Sequence, residues 1–128
     1  MFEISVECNF AAGHALRNYK GKCENVHGHN YKVRVTLAGD KLNAAGLLMD
    51  FVDLRAEIKE QVEKLDHRFL NDIPPFDQLN PSAENLAKYF CDGIEPRARS
   101  QGLQVLGVTV WETDTTSATY RPELGSGQ

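Results

Sequence analysis

Phe2-Glu3-Ile4-Ser5-Val6-Glu7-Cys8-Asn9-Phe10 alternates apolar with polar residues without a break. Successive side chains of a strand point to opposite faces, so the period of two predicts a β-strand with one face buried. The same period returns at Tyr31, Val33, Val35 and Leu37, and Ala38-Gly39-Asp40 closes this second strand. Asn43-Ala44-Ala45-Gly46 reads as a turn or loop. From Phe51 the period lengthens: Leu54, Ile58, Val62 and Leu65 recur at three and four residues, which predicts an amphipathic helix with Asp50 as N-cap. That helix must stop before Pro74-Pro75, which places Asp66-His67 near its C-terminal end. A second helix is predicted from Asn80 as cap and Pro81 at its first position, burying Leu86, Phe90 and Ile94 and ending before Pro96. Leu103, Val105, Val108, Val110 and Thr119-Tyr120 supply a second strand pair, with a bulge where the parity changes at Leu106-Gly107. The expected class is α+β, a four-stranded antiparallel sheet with two helices between its two strand pairs.

Composition narrows the function classes. The 128 residues suit one domain, taken as 1–128, and 41% hydrophobic with 25% charged residues describes an ordinary globular chain. No apolar run approaches the ~20 residues of a membrane span, and the N-terminus lacks a basic-then-apolar leader, so a cytosolic setting is expected. The three cysteines, at unrelated spacings, predict reduced thiols, with Cys8 and Cys91 in the core. A net charge of -4 at pH 7 argues against nucleic-acid binding, and no membrane partner is expected. Arg17, Lys20 and Lys22 form a local basic cluster that would attract a phosphorylated substrate, or serve only as a solvated loop. Glu123 to Gln128 reads as a frayed tail.

His14, His27 and His29 are three of the four histidines. On an extended segment His27 and His29 face the same side, and they share the parity of Tyr31, Val33 and Val35. Three imidazoles suit zinc and leave its fourth tetrahedral position open, as in catalytic sites. Cys23 admits a second reading, a closed structural site of one cysteine and three histidines. Spacing alone leaves both open.

The chain resembles the 6-pyruvoyl tetrahydropterin synthase family. The residues that carry the likeness run through most of its length: Phe10-Ala11-Ala12-Gly13-His14, Cys23-Glu24-Asn25-Val26-His27-Gly28-His29, Met49-Asp50-Phe51, Leu65-Asp66-His67, Leu70-Asn71-Asp72, Asn80 to Ala87 and Trp111-Glu112-Thr113. The three residues between Cys23 and His27 resemble the bacterial branch that forms 6-carboxy-5,6,7,8-tetrahydropterin in queuosine biosynthesis, since pyruvoyl-forming members have a longer gap there.

The resemblance implies a zinc-dependent lyase acting on 7,8-dihydroneopterin triphosphate, with zinc on His14, His27 and His29. It makes Cys23 the catalytic base, related to His67 and Asp66 as a proton relay. Neighbours on a helix do not face one another, so this triad is expected to be built across space, and by resemblance between subunits. Glu112 is expected to accept two hydrogen bonds from the pterin ring, with Thr113 adding a polar contact and Trp111 serving core or interface packing. The implied architecture is the tunnelling fold, assembled as a homohexamer of two trimers. The alternatives are the pyruvoyl-forming reaction, an aldolase-like cleavage, a non-catalytic zinc protein and a pterin-binding module without chemistry. Arg17, Lys20, Lys22 and Arg68 are candidates for gripping the triphosphate.

Overall fold

The computed structural model describes residues 1–17 and 26–123. Cys23, Lys20, Lys22 and all of the tail after Glu123 lie outside the described residues.

Strand β1 (Phe2–His14) and strand β2 (His27–Gly39) run antiparallel in register from Phe2 opposite Gly39 to His14 opposite His27. The alternation that starts at Phe2 therefore continues past Phe10 to bury Ala12 and His14. Helix α1 (Phe51–Val62) starts where Asp50 accepts a hydrogen bond from the Val52 amide at 2.8 Å, a cap of about 1 kcal/mol. Leu54, Ile58 and Val62 form its buried stripe. After a two-residue β3 (Arg68–Phe69) and a single 3-10 turn at Leu70–Asp72 comes helix α2 (Ala83–Ser100). The chain closes with β4 (Gln104–Thr113) and β5 (Thr116–Tyr120).

The sheet has five strands in the order β3-β1-β2-β4-β5, and β3 runs parallel to β1 at Ala12 and Gly13. The four antiparallel strands are thus present, and the expected sheet lacked only the short mixed edge. Two residues carry too little alternation to be read as a strand, and β3 exists because β1 offers it a free edge. Opposite Thr36 and Leu37 of β2 stand Gly107 and Val105 of β4, which leaves Leu106 as the extra residue of the predicted bulge.

Both helices cover one face, α1 over β1 and α2 over β4 and β5. Between them and the sheet lie Val33, Val35, Leu54, Ile58, Phe90 and Val110, none measurably exposed. Cys8 and Cys91 are buried free thiols, as expected. Trp111 points to the opposite face, where the Lys32 ammonium and the Arg34 guanidinium sit 4.5 Å and 4.9 Å from its ring centre.

Helix α2 departs from expectation at both ends. Its cap is Ser82, which accepts from the Asn85 amide at 3.1 Å, and not Asn80, whose side chain is engaged with Arg17. It also runs through Pro96. A proline there removes the hydrogen bond to the Asp92 carbonyl, but both residues are exposed and water can take that carbonyl. Continuing the helix buries Ala98 on the stripe of Phe90 and Ile94.

Candidate functional site

The β1–β2 register sets His14 opposite His27 and Ala12 opposite His29. With His27 and His29 on the same face of β2, the three rings meet edge to face, their centres 4.6, 5.1 and 4.8 Å apart. One nitrogen from each falls within 4.8 Å of the other two, and His14 Nε2 lies 3.1 Å from His27 Nε2.

The chemistry of this donor set fits a divalent cation. His14 is buried, and its Nδ1 donates to the Pro81 carbonyl at 2.8 Å, with the Tyr31 hydroxyl oxygen 3.2 Å away. That bond selects the tautomer whose Nε2 carries a lone pair. His29 Nε2 is buried and has no hydrogen-bond partner among the described residues, an orphan that a cation would satisfy. Burial, helped by the neighbouring imidazoles and opposed by Glu112, pulls the His29 pKa down and favours the neutral ring that metals require. The Tyr31 hydroxyl is pushed up by its own burial and by Glu112, so it stays protonated.

Glu112 borders this cluster. Its carboxylate lies 3.5 Å from His29 Nε2 and 3.9 Å from His14 Nε2 and is about one-third exposed. The β4–β5 pairing passes from Trp111 opposite Ser117 to Thr113 opposite Thr116, leaving Glu112 as an unmatched residue on the face of Val108 and Val110. Thr113 is placed differently: its exposed hydroxyl pairs with that of Thr116 at 2.6 Å, within the β4–β5 turn.

Asp66 and His67 follow α1 and do not belong to it. His67 has a left-handed backbone, φ 59°, which lets two consecutive side chains meet, His67 Nδ1 at 3.1 Å from Asp66 Oδ1. The expectation that helical neighbours would face apart fails here because the helix has already ended. The Ala11 amide, donating to Asp66 at 2.9 Å, and then His67 hold the Asp66 carboxyl below the usual carboxylate range. His67 is largely exposed and lines, with His29, Arg68 and Asn30, a hollow of about 550 Å³ beside the β1–β2 ladder.

Of the basic cluster, only Arg17 is described. Its guanidinium turns inward, donating to the carbonyls of Phe76 at 2.9 Å and Asn71 at 3.5 Å, so it caps a loop rather than facing solvent. Sequence reasoning passed over Pro81 and Tyr31 as partners of His14. Tyr31 was visible through the shared parity, whereas Pro81 lies 67 residues away with no spacing to reveal it.

The model of the family described as 6-pyruvoyl tetrahydropterin synthase matches residues 3–123. The chain belongs to this family. A 6-carboxy-5,6,7,8-tetrahydropterin synthase of Aquifex aeolicus is 31% identical, the match covering 95% of this chain and 99% of the relative. The 6-pyruvoyl tetrahydrobiopterin synthase of Homo sapiens is 35% identical over 94% of this chain and 92% of its own. Among solved structures, the 6-pyruvoyl tetrahydropterin synthase of Caenorhabditis elegans superimposes with a TM-score of 0.83 at 27% identity, covering 95% of this chain and 96% of that one. Membership of the pterin synthase family makes the protein an enzyme by descent. No helix among its described residues is long and apolar enough to cross a membrane.

Proposed function

We propose that the protein is a zinc-dependent lyase that converts 7,8-dihydroneopterin triphosphate and water to 6-carboxy-5,6,7,8-tetrahydropterin, acetaldehyde and triphosphate, as a step toward queuosine. The observation that carries this reading is the three-histidine set, His14, His27 and His29, in which the buried His29 Nε2 has no hydrogen-bond partner among the described residues. Zinc held there supplies Lewis-acid polarisation of the substrate's side-chain oxygens. The short Cys23-to-His27 spacing and the several bacterial relatives named as carboxy-forming synthases support the branch.

Cys23 acts as the base that takes a proton from the substrate side chain. Asp66, held ionised by Ala11, fixes the Nδ1 proton of His67, so His67 Nε2 is free to accept and return a proton. Glu112 accepts hydrogen bonds from the pterin, and its place beside the histidines sets that contact close to the reacting side chain. Thr113 adds a polar contact once its Thr116 bond opens. Arg68 is the described cation on the hollow that His67 borders and suits the triphosphate.

The sheet edges support assembly into a homohexamer with active sites between subunits. From Phe2 to Phe10 the outer edge of β1 has no strand partner among the described residues, and β5 pairs only with β4. Buried free Cys8 and Cys91 accord with a reducing, cytosolic setting. The similarity to the human enzyme favours a second reading, pyruvoyl formation by triphosphate elimination.

Incubating zinc-loaded protein with dihydroneopterin triphosphate and resolving the products by mass spectrometry separates the readings. 6-Carboxytetrahydropterin with acetaldehyde is expected, and pyruvoyl tetrahydropterin as sole product overturns the carboxy assignment. Cys23→Ala is expected to keep one zinc per chain and lose turnover, whereas loss of zinc and folding together points to a closed structural site.

A further inference from the structure

Beyond Phe10, the edge of β1 that faces away from β2 is closed by an unusual alternation of backbone and side-chain groups. The Ala11 amide donates to Asp66 Oδ1 at 2.9 Å, and the Ala11 carbonyl accepts from the His67 amide at 2.6 Å. Ala12 and Gly13 pair with β3. At Ala15 the partner is a side chain: Asn71 Oδ1 accepts from the Ala15 amide at 2.9 Å, and Asn71 Nδ2 donates to its carbonyl at 2.8 Å. Asn80 repeats this at Arg17, with 2.8 Å and 2.9 Å. Residues 11, 13, 15 and 17 are two apart, the spacing at which a strand presents its hydrogen-bonding groups to one edge. A carboxamide offers one acceptor and one donor side by side, as a peptide group does. Asn71 and Asn80 therefore stand in for the strand that would otherwise lie here.

Both asparagines act on the main chain just after His14, and Asn80 does more. It is followed by Pro81, whose carbonyl receives the His14 Nδ1 proton, and its own carbonyl accepts from Asn85 Nδ2 of α2 at 2.8 Å. One segment thus grips the chain on the far side of His14 and supplies the group that orients its ring. We propose that Asn71 and Asn80 are positioning residues that hold His14 in its ligating pose without touching the metal. This rests on the zinc reading above. The β2 register fixes the Cα of His14 against His27, while the asparagine pair fixes the residues that follow, so the ring is held from both sides. Losing the second hold lets Nε2 wander, and a tetrahedral site tolerates little wandering.

The test measures the zinc dissociation constant by competition with a chromophoric chelator, alongside the melting temperature of the metal-stripped protein. Groups bonded directly to metal ligands are worth about 10- to 100-fold in affinity, and Asn71 and Asn80 act one step further out, so Asn71→Ala and Asn80→Ala are each expected to weaken zinc by about 5- to 10-fold. Asn71→Asp and Asn80→Asp keep the acceptor and lose the donor, and are expected to weaken zinc by a smaller factor, about 3- to 5-fold. Asn43→Ala is the control: Asn43 accepts from Ala45 and Leu47 in the β2–α1 loop, so its loss lowers the melting temperature and leaves zinc affinity unchanged. Zinc constants within about twofold of the parent for both alanine variants overturn the proposal, whatever their stability. Should the alanine variants fail to fold, the aspartate variants decide on the same criterion. A parent protein that binds no zinc overturns this proposal and the zinc reading together, whereas a tight parent with equally tight variants overturns only this one.

Discussion

Replacing Asp66 with asparagine removes one negative charge and leaves a side chain of the same shape. The charge matters because Asp66 Oδ1 accepts from the Ala11 amide at 2.9 Å and lies 3.1 Å from His67 Nδ1. Hydrogen bonds to a charged group are worth roughly 1.5–3 kcal/mol against about 1 for neutral ones, and a carboxylate one-third exposed to water keeps only part of that excess. Asp66→Asn should therefore cost about 1 kcal/mol at neutral pH, or roughly 4 °C in melting temperature. The pH dependence follows from the direction of the shift: the Ala11 amide first, then His67, hold the native carboxyl below its ordinary value, against the opposing effect of burial. The unfolded chain then binds more protons than the native one in the acid range. The stabilisation is complete above the unfolded value of about 3.9, so from roughly pH 5 upward, and is lost as pH falls through the native value. Thermal unfolding followed by circular dichroism, on metal-stripped protein with chelator present, should show the parent–variant gap closing as pH falls below about 5. A gap that stays constant or widens in acid would refute the reasoning. Turnover of the zinc-loaded variant should fall by about 10²- to 10⁴-fold, the usual contribution of a proton relay.

Gly39→Ala would set a Cβ 2.5 Å from Leu103 Cδ2 and 2.9 Å from Leu48 Cδ1, so urea unfolding should show a loss of about 1–2 kcal/mol, and an unchanged midpoint would contradict that packing. Burial pushes the Cys91 thiol up to about 11 and raises Cys8 as well. Iodoacetamide at pH 8 should therefore leave both unmodified in native protein, read by peptide mass mapping, and labelling of Cys91 as fast as in urea would contradict its burial.

The long strands, the Leu106 bulge and the Asp50 cap were legible because each rests on a pattern within a dozen residues. Local signals misled where a tertiary contact outweighed them. Asn80-Pro81 has the chemistry of a helix start, yet Asn80 is committed to Arg17 and the cap passes to Ser82. Pro96 ought to end a helix, but burying Ala98 outweighs one carbonyl returned to water. In the site, the histidine triad could be read because strand parity places His27 and His29 together. The direct Asp66–His67 pair could not, since it depends on a positive φ at His67 that no residue type announces. Arg17 looked like a free cation and proved to be a cap for loop carbonyls, a role set by residues some sixty positions away.

The register that sets His14 against His27 also bears on the order in which the molecule assembles. Those two residues are 13 apart in sequence, so bringing them together is a local closure of the kind that forms in microseconds. The Pro81 carbonyl that aims the His14 ring is 67 residues away, so that contact closes only when the intervening helix α1 and the segment after it have been placed. The spacing of the imidazoles thus rests on a local, hairpin-level contact, and the aim of the His14 ring on a long-range one. Metal encountered during folding would meet three imidazoles already gathered but not yet pointed, and final docking of the 66–81 segment would lock the site.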